Sequence, residues 1–219
     1  ETGMKMYFVP MGTGHFKVFH THDNSFYCCT GTGMESFAKL GDSIYFHQEK
    51  SLYVNLFIAS RLDWRELGVE VEQRTQFPVE AGTSLVIHTQ QPVEFALNIR
   101  VPYWAVNGVT VRYNGHELEC EAKPGEYLKL EHTWHDQDCL EIEMPMSLHM
   151  SALPDKPDRV AVMYGPLVLC GLLGNDNMQV STTGVSVTIP NPGPKRRSYL
   201  NIPEEERYQV DQWLLPGPG

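Results

Sequence analysis

Between Ser43 and Met144 the chain alternates apolar and polar residues with a period of two, in short runs separated by turn residues. Expected strands cover 43–47, 52–58, 69–75, 84–88, 95–101, 109–113, 127–131 and 140–144, with two more at 160–163 and 167–170. Glu49-Lys50, the segment 78–82, Gln91-Pro92, Asn107-Gly108, Asn114-Gly115 and Pro124-Gly125 separate them, and such residues supply the backbone angles of tight reversals. Many short strands with turns at these intervals build an antiparallel sandwich, not a βαβ fold. The expected class is therefore mainly β, a jelly-roll-like β-sandwich.

The first 42 residues follow a different pattern. Runs 5–10 and 15–19 read as a hairpin that turns through Pro10-Met11-Gly12-Thr13-Gly14. Apolar residues at Met34, Phe37, Ala38 and Leu40, with Thr32 ahead and Gly41 behind, predict a helix of two to three turns over 33–40. Such a helix either packs on the sandwich or is the last element of a helical domain. The expected organisation is a terminal helical segment over 1–42, a sandwich over 43–150, and a second β-rich region with a loop-rich tail over 151–219. The boundary near Ser151 rests on the polar, proline-bearing link 153–158, and Pro190-Asn191-Pro192-Gly193-Pro194 cannot hold a sheet ladder.

The formal charge of −10 is spread along a chain whose one basic cluster is Lys195-Arg196-Arg197. Nucleic acid needs a concentrated basic face and is excluded as a partner, whereas a neutral sugar is compatible. Apolar runs such as 160–164 are far too short to cross a bilayer, so no membrane partner is expected. Five cysteines is an odd number without framework spacing, which argues against a disulfide-stapled scaffold. Cys120, Cys139 and Cys170 lie in apolar-alternating stretches and read as core packing.

Cys28 and Cys29 are adjacent, between Phe26-Tyr27 and Thr30-Gly31-Thr32-Gly33. Neighbouring Cα atoms lie about 3.8 Å apart, below the roughly 4.4–6.8 Å of ordinary disulfides. The pair is a strained vicinal disulfide, two buried thiols, or soft ligands for a metal such as zinc. His15, His20 and His22 could add nitrogen ligands if the hairpin folds over the pair; otherwise they are solvated strand residues. A helix starting just beyond the pair would favour thiolate, and Glu35 would be an acid/base partner or an N-terminal helix carboxylate. Asp136 and Asp138 could form a glycosidase carboxylate pair, although turn aspartates are common for conformational reasons. Trp64, Tyr103, Trp104 and Trp134 form either a sugar-stacking platform or core.

Several segments together resemble a known family. They are Thr2-Gly3-Met4-Lys5, Gly14-His15-Phe16-Lys17-Val18, Phe26-Tyr27-Cys28-Cys29-Thr30-Gly31-Thr32-Gly33-Met34-Glu35 and Gly41-Asp42-Ser43-Ile44-Tyr45-Phe46. Leu52-Tyr53-Val54-Asn55-Leu56-Phe57-Ile58, Thr75-Gln76-Phe77-Pro78, Leu97-Asn98-Ile99-Arg100-Val101-Pro102-Tyr103-Trp104-Ala105 and Tyr164-Gly165-Pro166-Leu167-Val168-Leu169 continue the likeness. This set resembles the β-L-arabinofuranosidase glycoside hydrolases of families 127 and 146, over nearly everything to about Leu173. The resemblance implies an (α/α)6 barrel followed by β-sandwich domains, and a retaining mechanism on L-arabinofuranose-containing glycans. In it a zinc-held cysteine thiolate attacks the anomeric carbon and a glutamate is general acid/base. By motif Cys28 takes the nucleophile's role, and Cys28 and Cys29 are both zinc ligands. Zinc deprotonates a bound thiol outright, giving a nucleophile at neutral pH.

The sequence also departs from that family. The remaining zinc ligands belong to a Glu-x-Cys motif upstream of the hairpin, with the acid/base glutamate further upstream. Two residues before Cys120, Cys139 and Cys170 stand Leu118, Gln137 and Val168 instead. The expectation is a C-terminal fragment whose N-terminal barrel domain is missing, inactive alone, with residues 1–42 left over from the barrel. The alternative is a non-catalytic sandwich that binds carbohydrate or packs against another domain. Thiolate chemistry of this kind suits a cytoplasm, and a zinc-bound pair would also persist in a periplasm or a secreted protein.

Overall fold

A computed structural model describes residues 28–170, with side chains from Gly31 onward. The expected hairpin over 5–19, the three histidines His15, His20 and His22, and the tail from Gly171 lie outside the described residues. The chain divides into two units; among the described residues one ends at Gly41 and the other comprises Asp42–Cys170.

In the first unit a helix, α1, spans Cys28–Ala38. It starts five residues earlier than the sequence predicted. Gly31 and Gly33 read as a loop because each costs about 1 kcal/mol in a helix relative to alanine, but the hydrogen-bond ladder outweighs so weak a preference. Ser36 Oγ donates to the Thr32 carbonyl at 3.0 Å, and the Lys39 N–H continues the ladder to the Glu35 carbonyl at 3.1 Å. A 3₁₀ turn over Leu40–Ser43 follows, and Gly41 lies inside it without the positive φ of a glycine cap.

The second unit is built of strands. A four-stranded sheet contains β1 (Tyr45–Gln48), β2 (Ser51–Val54), β6 (Val93–Arg100) and β9 (Tyr127–Trp134), in that order. A six-stranded sheet contains β3 (Ser60–Trp64), β4 (Val69–Arg74), β5 (Gly82–Thr89), β10 (Cys139–Glu143), β7 (Thr110–Tyr113) and β8 (His116–Glu117). A third sheet of three strands contains β11 (Leu148–Leu153), β12 (Lys156–Tyr164) and β13 (Leu167–Val168). The expected mainly β sandwich is the observed class.

The period-two pattern explains how the two larger sheets meet. Leu52, Val54, Leu97, Ile99 and Leu128 from the first sheet share one buried cluster with Trp64, Val69, Val71, Leu85, Ile87, Val111, Leu140 and Ile142 from the second. Trp134 lies in the same cluster, and its indole N–H donates to the Phe95 carbonyl at 3.0 Å, so the one polar atom of a buried ring is satisfied. Gly82 sits opposite Glu143, where a Cβ would come within 2.7 Å of the Ile142 carbonyl oxygen.

Four features differ from the sequence expectation. First, the pairing is not wholly antiparallel: β2 and β6 run parallel, from Ser51 opposite Ala96 to Val54 opposite Ile99. The chain between them passes through the other sheet as β3, β4 and β5, which supplies the long crossover a parallel pair needs. Second, β2 ends at Val54 rather than at residue 58, because the Asn55 and Leu56 N–H groups both turn to the Ile44 carbonyl, at 2.8 and 3.4 Å. Third, β3 was not foreseen; its alternating Leu62 and Trp64 are few, and Arg61 and Asp63 on the other face obscured them. Fourth, the expected polar link over 153–158 is a hairpin turn, with Leu153 opposite Lys156 in the β11–β12 pair. Pro154 and Asp155 there serve a reversal.

Replacing Trp134 with alanine removes the largest fully buried side chain and leaves a cavity between the sheets. The expected cost is about 3–5 kcal/mol in urea denaturation. A loss below 1 kcal/mol would contradict this placement of the core.

Candidate functional site

Cys28 and Cys29 are the first two residues of α1. The first N–H groups of a helix have no partner within it, and its dipole favours negative charge there, so backbone position alone lowers the cost of a thiolate. Glu35, expected in the first turn or as an acid/base partner, is exposed and stands in the second half of the helix, since the helix begins at Cys28 rather than after Thr32. The first turn contains no acidic residue, so Glu35 is not an N-terminal helix carboxylate. Among the described residues no group of three or more His, Cys, Asp or Glu side chains could hold a metal ion.

The aspartate pair is architectural. Asp138 is buried at the turn between β9 and β10, where it accepts the His135 N–H at 2.7 Å and the Asn114 Nδ2–H at 2.9 Å. Burial raises its pKa, but the hydrogen bonds from Asn114, His135 and Tyr113 with the His135 charge outweigh this and hold it below the usual carboxylate range. Tyr113 pays the complementary cost: burial, and then its bond to Asp138, push its hydroxyl up to about 12. Asn114, at φ 49° beside Gly115, also accepts the Cys139 N–H through Oδ1 at 2.8 Å. One Asn-Gly turn and one aspartate thus tie β7 to β10. Asp136 accepts the Thr89 N–H at 3.1 Å. The Asn-Gly dipeptide signalled the turn; its tie to Asp138, 24 residues away, had no local sequence signal.

Of the two readings of the aromatics, sugar-stacking platform or core, core holds for three of the four. Trp64, Trp104 and Trp134 are all buried, because each falls on the inward register of its segment or packs into the cluster between the sheets. Tyr103 is the exception, 60% exposed. It lines a cleft of about 310 Å³ together with Asn55, Phe77, Arg100 and Trp104. Phe77 and Trp104 stack at 6.0 Å in its wall. Beside it the Tyr127 hydroxyl donates to Asn55 Oδ1 at 2.9 Å, across 72 residues of sequence, which is why the reading of local patterns missed both.

Cys120, Cys139 and Cys170 are free thiols. Burial raises the pKa of Cys120 and Cys139, with Glu117 and Glu141 respectively adding to it, so both stay protonated. Both are half-buried, while Cys170, expected in the core, is exposed because it lies beyond the end of β13. No helix among the described residues is long and apolar enough to cross a membrane.

Residues 51–146 match the family model of the β-L-arabinofuranosidase GH127 middle domain. Over this segment the chain is similar to the middle domain of GH127 β-L-arabinofuranosidases. The matched residues run from β2 to just past β10, which is nearly the whole of the two-sheet sandwich. Solved structures with a similar fold include a GH127 β-L-arabinofuranosidase from Geobacillus stearothermophilus T6, at 23% identity and TM-score 0.58, covering 66% of this chain and 24% of that one. A glycoside hydrolase matches at 24% identity and TM-score 0.59, over 68% of this chain and 26% of its own. A second GH127 β-arabinofuranosidase matches at 24% identity and TM-score 0.56, over 64% and 25%. The chain therefore spans about a quarter of the length of these structures. A search of curated proteins finds no match.

The Asp138 carboxylate gives the two-sheet sandwich a definite acid response. Because its folded pKa is depressed, its contribution is present above the unfolded value, near 4, and is lost as pH falls through the folded value. Wild-type stability is expected to decline below about pH 4 more steeply than that of Asp138→Asn, measured by denaturant midpoints. Equal slopes would show that Asp138 is not held ionised by this network.

Proposed function

We propose that the chain is the C-terminal part of a retaining β-L-arabinofuranosidase in which Cys28 is the nucleophile. The observation that supports this most directly is the joining of two features in one chain: a GH127 middle domain over 51–146, and a Cys-Cys pair at the first turn of a helix just ahead of it. The substrate is an L-arabinofuranoside of a glycan. The Cys28 sulfur attacks the anomeric carbon, the glycosidic bond breaks, and the departing oxygen takes a proton from an acid/base glutamate outside this chain. Water then gives a proton to that glutamate and attacks from the face the leaving oxygen vacated, opposite the sulfur, so the sulfur departs as thiolate and configuration is retained.

Zinc suits Cys28 and Cys29 by donor chemistry, since soft thiolates at the start of a helix are among its preferred ligands. When bound, it would keep the thiol deprotonated at neutral pH. Two thiolates fall short of the four ligands of a closed zinc site, so the rest of the set and the acid/base belong to the helical barrel that the proposal places upstream.

The chain alone should therefore release no arabinose from an aryl β-L-arabinofuranoside, while the protein that includes the barrel should do so. In that protein Cys28→Ser is expected to reduce turnover to background with the melting temperature little changed. Turnover by the chain alone, or full activity of Cys28→Ser, would refute the proposal.

A further inference from the structure

The outer face of the four-stranded sheet carries a strip of rings and hydrogen-bonding groups that the catalytic reading does not use. Inward positions of this sheet are taken by Leu52, Val54, Leu97, Ile99 and Leu128, so the alternate residues Tyr53, Arg100 and Tyr127 stand on the outer face. Arg100 pairs directly with Tyr127 across β6 and β9. Tyr53 meets Tyr127 edge to face at 5.4 Å, and the Tyr127 hydroxyl reaches Asn55. The strip then runs into the cleft where Arg100 and Asn55 face the exposed ring of Tyr103.

We propose that this strip is a saccharide-binding surface whose binding does not require the Cys28 thiol. A sugar ring has an apolar C–H face and a rim of hydroxyls, and the strip with its cleft offers both complements. The rings of Tyr103 and Tyr127, 60% and 43% exposed, present flat apolar area. The Arg100 guanidinium has no hydrogen bond or ion pair among the described residues, so its five donors are free for hydroxyls or a carboxylate. Asn55 keeps hydrogen-bonding capacity too: Oδ1 accepts from Tyr127 and Nδ2 donates to the Ser43 carbonyl at 3.3 Å, which leaves one lone pair and one N–H. A protein partner would be expected to meet a drier patch; here polar groups alternate with rings. The cleft volume of about 310 Å³ lies at the low end of small-molecule sites, which suits one or two sugar residues. An uncompensated arginine in a chain of charge −10 also tolerates a uronate, so neutral and acidic sugars share the recognition chemistry.

The test is affinity electrophoresis of the full chain through gels containing soluble arabinan, neutral xylan or polygalacturonate. Retardation by at least one of these is expected, weakened about two- to ten-fold by Tyr103→Ala, the magnitude of a lost ring contact of ordinary strength. Cys28→Ser should leave it unchanged. Selective retardation by polygalacturonate, abolished by Arg100→Gln, would assign a carboxylate-bearing sugar; retardation by arabinan or xylan would assign a neutral one. Because Tyr103 is exposed, its variant should fold, and an unchanged melting temperature checks this. No retardation by any of the three polymers, or retardation unaffected by both Tyr103→Ala and Arg100→Gln, would overturn the proposal. So would self-association of the chain that Tyr103→Ala abolishes without any polysaccharide binding, since the strip would then be a contact between copies.

Discussion

The apolar seam between the four-stranded and six-stranded sheets is the constraint on which the sandwich depends. It is supplied by alternate residues of nearly every strand in both sheets, and it fixes which face of each strand looks outward. A one-residue slip in β6 would exchange Leu97 and Ile99 for Asn98 and Arg100, burying a charge with no partner. The seam thus determines the position of Arg100, Tyr53 and Tyr127 as firmly as that of the core. The outer strip is a consequence of the inner one.

Much of this was legible in the chain because period-two alternation and turn residues are local signals. β4, β5, β6, β7, β9 and β10 lie within a few residues of their expected places, and Asn114-Gly115 turns as such a pair should. The misses share a physical cause. The parallel pairing of β2 with β6, the Asn114–Asp138 tie and the Tyr127–Asn55 bond all join residues far apart in sequence, and no local pattern encodes them. β11 was missed because a proline and an aspartate read as a link where they make a turn. The early start of α1 was missed because Gly31 and Gly33 weigh against a helix locally.

The candidate site divides in the same way. The Cys28-Cys29 pair was visible as two letters, and the structure adds that it opens a helix, where backbone N–H groups favour a thiolate. The aromatic residues were visible too, but sequence could not tell a ring that fills the seam from one that faces water. Trp64, Trp104 and Trp134 went to the first fate and Tyr103 to the second. The carboxylates sorted likewise: Asp138 is held ionised to fasten a turn.

The central claim is that Cys28 forms a bond to the sugar, and covalent trapping tests it most directly. The barrel-containing protein would be mixed with an aryl β-L-arabinofuranoside, quenched in acid within the first turnover, and digested for mass spectrometry. The account predicts a pentose adduct on the peptide that spans Cys28, with fragment ions placing it on Cys28 rather than Cys29. An unmodified Cys28 under burst conditions, or a pentose on a carboxylate, would contradict it.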